Sequence, residues 1–171
     1  LLNTIYSRCQ VINIPALSAS DLNDWLISKG ITDVNATDFP SFISPLKIID
    51  DLENNSHLIF KEFIQIITNY LLNKSDINST MKLIISLDVS LVMKLNYLIE
   101  FLKIILKSKL LSENLSGIYK SFNDSVFNNL KISNLINDLN KVRHDYFKVP
   151  QINETHVLNY FLSEVKNSIK I

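Results

Sequence analysis

Apolar residues recur every three or four positions along most of this chain, the spacing that lays one apolar stripe along a helix. The clearest stripe follows Ser90, where Leu91, Leu95, Leu98, Leu102 and Ile105 step by four, three, four and three, as in the seam of a bundle helix. Ser56 precedes a second stripe of Phe60, Phe63, Ile64, Ile67 and Leu71. Ser79 to Leu87 reads as a shorter helix. Residues 110–129 read as a loop with one short helix. Ile132 to Phe147 predicts a helix carrying Leu135, Ile136, Leu139, Val142, Arg143 and Tyr146, with Pro150 as its stop. Asn153 is placed to cap a last helix whose stripe is Val157, Leu158, Phe161, Leu162, Val165 and Ile169.

The first third is patterned differently. Val11-Ile12-Asn13-Ile14 is the one convincing strand, and Pro15 closes it. Three short helices are predicted next. In the first, Ser18 is the cap, Asp21 lies in the first turn, Leu22, Trp25 and Leu26 share a face, and Gly30 ends it. The second covers about Asn35 to Phe42. The third has Ser44 as cap and Pro45 at the first helical position, and presents Leu46, Ile48, Ile49 and Leu52. The polar run Glu53-Asn54-Asn55-Ser56 reads as a hinge. The pattern therefore predicts a mainly α chain: a strand remnant, a small three-helix module and a larger helical bundle. Its apolar helical faces exceed what a chain of this size usually hides, so packing against partner bundles is expected.

Composition narrows the picture. A chain of 171 residues with 47% apolar and 20% charged residues can bury a core and is not a disordered composition. Gly30 and Gly117 are its two glycines, too few and too far apart for a Gly-rich phosphate loop. The net charge is zero but uneven. Residues 18–56 carry seven acids against two lysines, and residues 57–171 ten acids against fourteen bases. Neither part is basic enough to predict nucleic-acid binding by itself. Cys9 is the single cysteine, so no internal disulfide forms and a reducing, cytoplasmic compartment is expected. The greasiest stretch, Leu91 to Leu106, is broken by Lys94, Asn96, Glu100 and Lys103, so no membrane span is expected. The chain does not open on Met or on a signal-peptide pattern, and it is expected to be the C-terminal piece of a longer protein.

Candidate chemistry is sparse. His57, His144 and His156 are scattered, so no metal site is expected. Arg143-His144-Asp145 and Asp50-Asp51-Glu53 read as solvated or ion-paired helix faces. Lys103, Lys107 and Lys109 read equally well as phosphate contacts or as favourable charge at a helix C-terminus. Arg8 stands out because arginine is scarce: Arg8 and Arg143 face fifteen lysines. A guanidinium can fork onto phosphate oxygens where an ammonium cannot. On residue types alone the plainer reading is favoured, a surface arginine followed by a small buried cysteine.

The opening Leu1-Leu2-Asn3-Thr4-Ile5-Tyr6-Ser7-Arg8-Cys9-Gln10 resembles the Ser-Arg-Cys segment of bacterial clamp loaders, which are AAA+ proteins. Ser44-Pro45-Leu46-Lys47 is similar to the Gly-Ser-Pro segment of their lid domain. Val142-Arg143-His144-Asp145 resembles the tail of the penultimate helix. Ile152-Asn153-Glu154 resembles the opening of the last helix in delta-prime-type subunits of DNA polymerase III. The resemblance spans the chain, with Asn3 and Ile43 departing from a usual Pro and Gly. Leu46 stands where ATP-binding gamma/tau subunits carry a nucleotide-sensing arginine, which favours the delta-prime type.

The resemblance implies that residues 1–15 finish an AAA+ nucleotide-binding-type domain, 16–56 form a helical lid and 57–171 a helical collar that holds a pentamer together. It implies that Arg8 is an arginine finger acting in trans, with Ser7 positioning its loop and Cys9 anchoring it. ATP-Mg is then bound by a neighbouring subunit and no cofactor by this chain. The implied partners are gamma/tau and delta subunits, and the sliding clamp and primed DNA through the assembled loader. Two other readings stand beside it: an ATP-hydrolysing gamma/tau-like subunit, and a helical adaptor unrelated to replication.

Overall fold

The computed structural model describes residues 18–146, 148 and 152–170, apart from the side chain of Pro45. The expected strand Val11–Ile14 and the stop at Pro150 lie outside the described residues. The chain divides into two compact units, residues 1–36 and 37–171.

In the first unit, helix α1 spans Ala19–Ser28. Ser18 Oγ accepts from the Asp21 N–H at 3.1 Å, and Asp21 Oδ2 accepts from the Ser18 N–H at 3.1 Å, a reciprocal capping box. Those bonds from Ser18 hold the Asp21 carboxyl below its ordinary range. At the far end the Gly30 N–H reaches the Ile27 carbonyl at 2.9 Å and the Ile31 N–H reaches that of Leu26 at 3.0 Å. That pairing closes a helix with a left-handed residue, here Gly30 at φ +74°. Asn23 Oδ1 accepts from the Ala36 N–H at 2.7 Å and folds the following loop back on α1.

The expected second helix over Asn35 to Phe42 is only one 3-10 turn, Ala36–Asp38. Pro40 donates no N–H and disfavours helical backbone at Phe39, so the turn cannot propagate.

The second unit is a bundle. Its helices are α2 (Pro45–Glu53), α3 (Ser56–Leu71), α4 (Ile77–Ser86), α5 (Leu91–Leu111), α6 (Asn129–Asp145) and α7 (Glu154–Lys166), with a 3-10 helix at Gly117–Phe122. Several starts differ from expectation. Asn55, at φ +57°, stands at the cap of α3 in place of Ser56. Helix α4 begins two residues before the expected Ser79, with Asp76 as its cap, the carboxylate accepting from the Asn78 and Ser79 N–H groups at 2.8 and 3.0 Å. Helix α6 begins three residues before Ile132, because Asn128 Oδ1 takes the Lys131 N–H at 3.0 Å. Ile169 leaves the helical stripe. With Lys170 it forms strand β2, antiparallel to β1 (Val126–Phe127), with Val126 opposite Lys170 and Phe127 opposite Ile169. This strand pair was not legible beforehand.

Helix α5 runs through the core and packs on α3 and α6, while α7 packs on α4 and α6. The expected seam of Leu91, Leu95, Leu98, Leu102 and Ile105 is buried, and Phe101 beside it lies edge-on to Phe122 with ring centres 5.3 Å apart. Phe60, Phe63, Ile64, Ile67 and Leu71 of α3 are buried against the same core.

Candidate functional site

Of the site residues expected from sequence, Ser7, Arg8 and Cys9 lie outside the described residues. Ser44 and Pro45 are described. Ser44 caps α2 with extended backbone, φ −72° and ψ 148°, its hydroxyl makes no capping bond, and Pro45 sits at the helix start. Ser44 instead contributes its carbonyl, which accepts from the Lys47 N–H at 2.9 Å. Leu46 on the next position is 85% exposed. An aliphatic side chain there offers no charge to a phosphate.

The polar chemistry of the second unit lies elsewhere, where residues 37–42 cross the bundle. Asp38 is 4% exposed and its Oδ2 pairs with Lys61 Nζ of α3 at 3.2 Å. Glu100 of α5 is 4% exposed, and its Oε1 accepts from the Ser41 N–H at 3.0 Å. Phe39 packs against the buried ring of His57, centres 5.5 Å apart, and Phe42 stacks on Tyr97 at 6.4 Å.

Tyr119 of the 3-10 helix is 1% exposed. Burial first, then the negative charges of Glu100 and Asp38, push its phenol far above the ordinary range, so it stays an O–H. That hydroxyl and Thr37 Oγ1 are buried without hydrogen-bond partners among the described residues. Gly117 lets Thr37 approach: a methyl group at that glycine would collide with Thr37 Oγ1 and Cβ.

Sequence reasoning missed this cluster, having read Glu100 and Lys94 as interruptions of an apolar run. A charge at a core-facing position of an apolar helix was the available signal, since such charges persist when partnered. Lys94 shows the same logic: 2% exposed, it donates to Glu154 Oε1 at 2.9 Å, which ties α5 to the first turn of α7.

Other charged groups serve structure. Arg143, expected on a solvated or ion-paired helix face, is half-buried, and its Nη1 donates to Asn96 Oδ1 at 2.8 Å, joining α6 to α5. Lys109 donates to the Asn123 carbonyl at 2.8 Å and lies 5.2 Å from the centre of the Phe127 ring. His57 Nδ1 lies 3.2 Å from the Asp51 carbonyl, and burial raises the Asp51 carboxyl above its ordinary range. No three His, Cys, Asp or Glu side chains gather as a metal site among the described residues. No described helix is long and apolar enough to cross a membrane.

Fold and described residues together define a class, a mainly helical protein whose larger unit is a helix bundle with one short strand pair. No family model matches the chain, and neither a curated protein nor a solved structure is significantly similar to it.

Proposed function

We propose that this chain is the C-terminal region of a delta-prime-type subunit of a bacterial, cytoplasmic clamp loader, a stator that assembles with gamma/tau and delta subunits during DNA replication. The observation that carries the reading is the order of four segments: Ser7-Arg8-Cys9, Ser44-Pro45, Val142–Asp145 and Ile152–Glu154. Two local features support it. Ser44-Pro45 opens a helix, and Asn153 Oδ1 accepts from the His156 N–H at 3.1 Å at the head of the last one. Arg8 reaches the ATP-Mg site of a neighbouring gamma/tau subunit and stabilises charge developing on the transferred phosphoryl group. Residues 16–56 act as lid and 57–171 as collar. Leu46 in the lid position favours this subunit type over an ATP-hydrolysing one.

Arg8→Ala in the full-length subunit, reconstituted with gamma/tau and delta, tests the proposal. Assembly should persist while ATP turnover stimulated by clamp and primed DNA at that site falls by roughly 10³-fold or more, the range of arginine fingers elsewhere. Unchanged turnover removes the finger role. Failure of the wild-type chain to assemble with these subunits removes the whole assignment.

A further inference from the structure

Two exposed helix faces of the second unit carry complementary patterns. On α2, Leu46, Ile49, Asp50 and Glu53 step by three, one and three, which puts them on one side of the helix, away from the buried Ile48. On α5, Lys103, Lys107, Leu110 and Leu111 likewise share a side. All eight side chains are exposed, Leu46 by 85% and Leu110 by 66%. We propose that these two faces bind each other between copies of the chain, α2 of one copy lying antiparallel on the last turns of α5 of a second copy.

Spacing and charge carry the pairing. Along α2 the apolar residues come first and the acids follow. Along α5 the bases come first and the leucines follow. Asp50 and Glu53 lie four and seven positions after Leu46, while Lys107 lies four before Leu111 and Lys103 seven before Leu110. Both helices rise by about 1.5 Å per residue. With Leu46 and Ile49 set against Leu110 and Leu111, antiparallel packing brings Asp50 to Lys107 and Glu53 to Lys103. A parallel arrangement sets leucines against lysines instead.

The charges are available for this contact. None of the four enters an ion pair among the described residues. The two acids also stand toward the C-terminal end of α2, where the helix dipole favours cations, and α2 has no base in its last turn. A basic face from a second copy supplies that charge, and the apolar pairs at the other end lose water. Opposite charges flanking an apolar contact fix partner and orientation. Each copy carries both faces, so the contact is head-to-tail unless a two-fold pair makes it twice. It does not depend on the clamp-loader reading.

Sedimentation velocity of the chain over a concentration series tests the contact. Reversible self-association should appear below about 1 mM and weaken with added salt. The double variants Asp50→Lys with Glu53→Lys, and Lys103→Glu with Lys107→Glu, should each raise the dissociation constant by about tenfold or more, because like charges then face each other. Mixed in equal amounts, the two variants should associate with each other, since every reversed face then meets an opposite one. A chain that is monomeric at about 1 mM overturns the contact and leaves the two faces to other partners. Association unchanged in both variants places it elsewhere and overturns the proposal as well. So does association lost in each variant and not regained in the mixture.

Discussion

Gly30 and Gly117 both hold positive φ, +74° and +55°, yet they answer to different constraints. A Cβ on Gly30 meets nothing within 4 Å, so Gly30→Ala carries only the left-handed backbone strain, about 1 kcal/mol. Gly117→Ala adds a collision with Thr37, and overpacking of a tight contact costs a further 1–3 kcal/mol or so. We expect Gly117→Ala to lower stability by at least about 2 kcal/mol, clearly more than Gly30→Ala. Urea titration followed by Trp25 fluorescence reports on the first unit, and helical circular dichroism reports mainly on the second. Equal losses would remove the Thr37 contact as the reason for glycine. Both glycines were visible in the sequence, but only Gly30 was assigned a role, because a helix C-terminus is local whereas the Gly117–Thr37 approach joins distant residues.

At the scale of elements, capping chemistry decided where helices begin. Asp76, Asn78 and Ser79 are all good caps, and so are Asn128, Asn129 and Ser133, so residue preference alone does not choose among them. Backbone direction chooses, by aiming particular N–H groups at Asp76 and Asn128. Asn128→Ala should therefore destabilise the second unit by about 1 kcal/mol. Asn129→Ala should cost markedly less, with denaturant midpoints as the measure. The reverse order would show that α6 starts later than its first described turn. Pro40 marks the opposite case: a sequence-visible residue that stops a 3-10 turn from becoming the expected helix.

At the scale of the whole bundle, one salt bridge joins helices far apart in sequence. Lys94 and Glu154 lie 60 positions apart and tie α5 to α7. Lys94→Ala leaves Glu154 without its partner and opens space in the core. Because the Glu154 side chain is 35% exposed, water relieves part of that loss, and we expect about 2–3 kcal/mol by urea unfolding. Lys94→Met keeps the volume and removes the buried charge, and it should cost less than half as much. Equal losses for Ala and Met would locate the effect in the ion pair and not in the packing.

The sequence by itself determined the longer helices of the second unit, though not where each begins, and the buried seam of α5, because a stripe every three or four residues is a local property of the chain. It also determined the reading of Arg8 and its neighbours, a matter of residue identity and order. Only the tertiary structure decided that Val126 faces Lys170, that Lys94 meets Glu154, and that Asp38, Glu100 and Tyr119 are each buried. Periodicity says which face of a helix turns inward. It does not say which polar group waits there, since that depends on how separate elements pack and on each buried charge finding its partner.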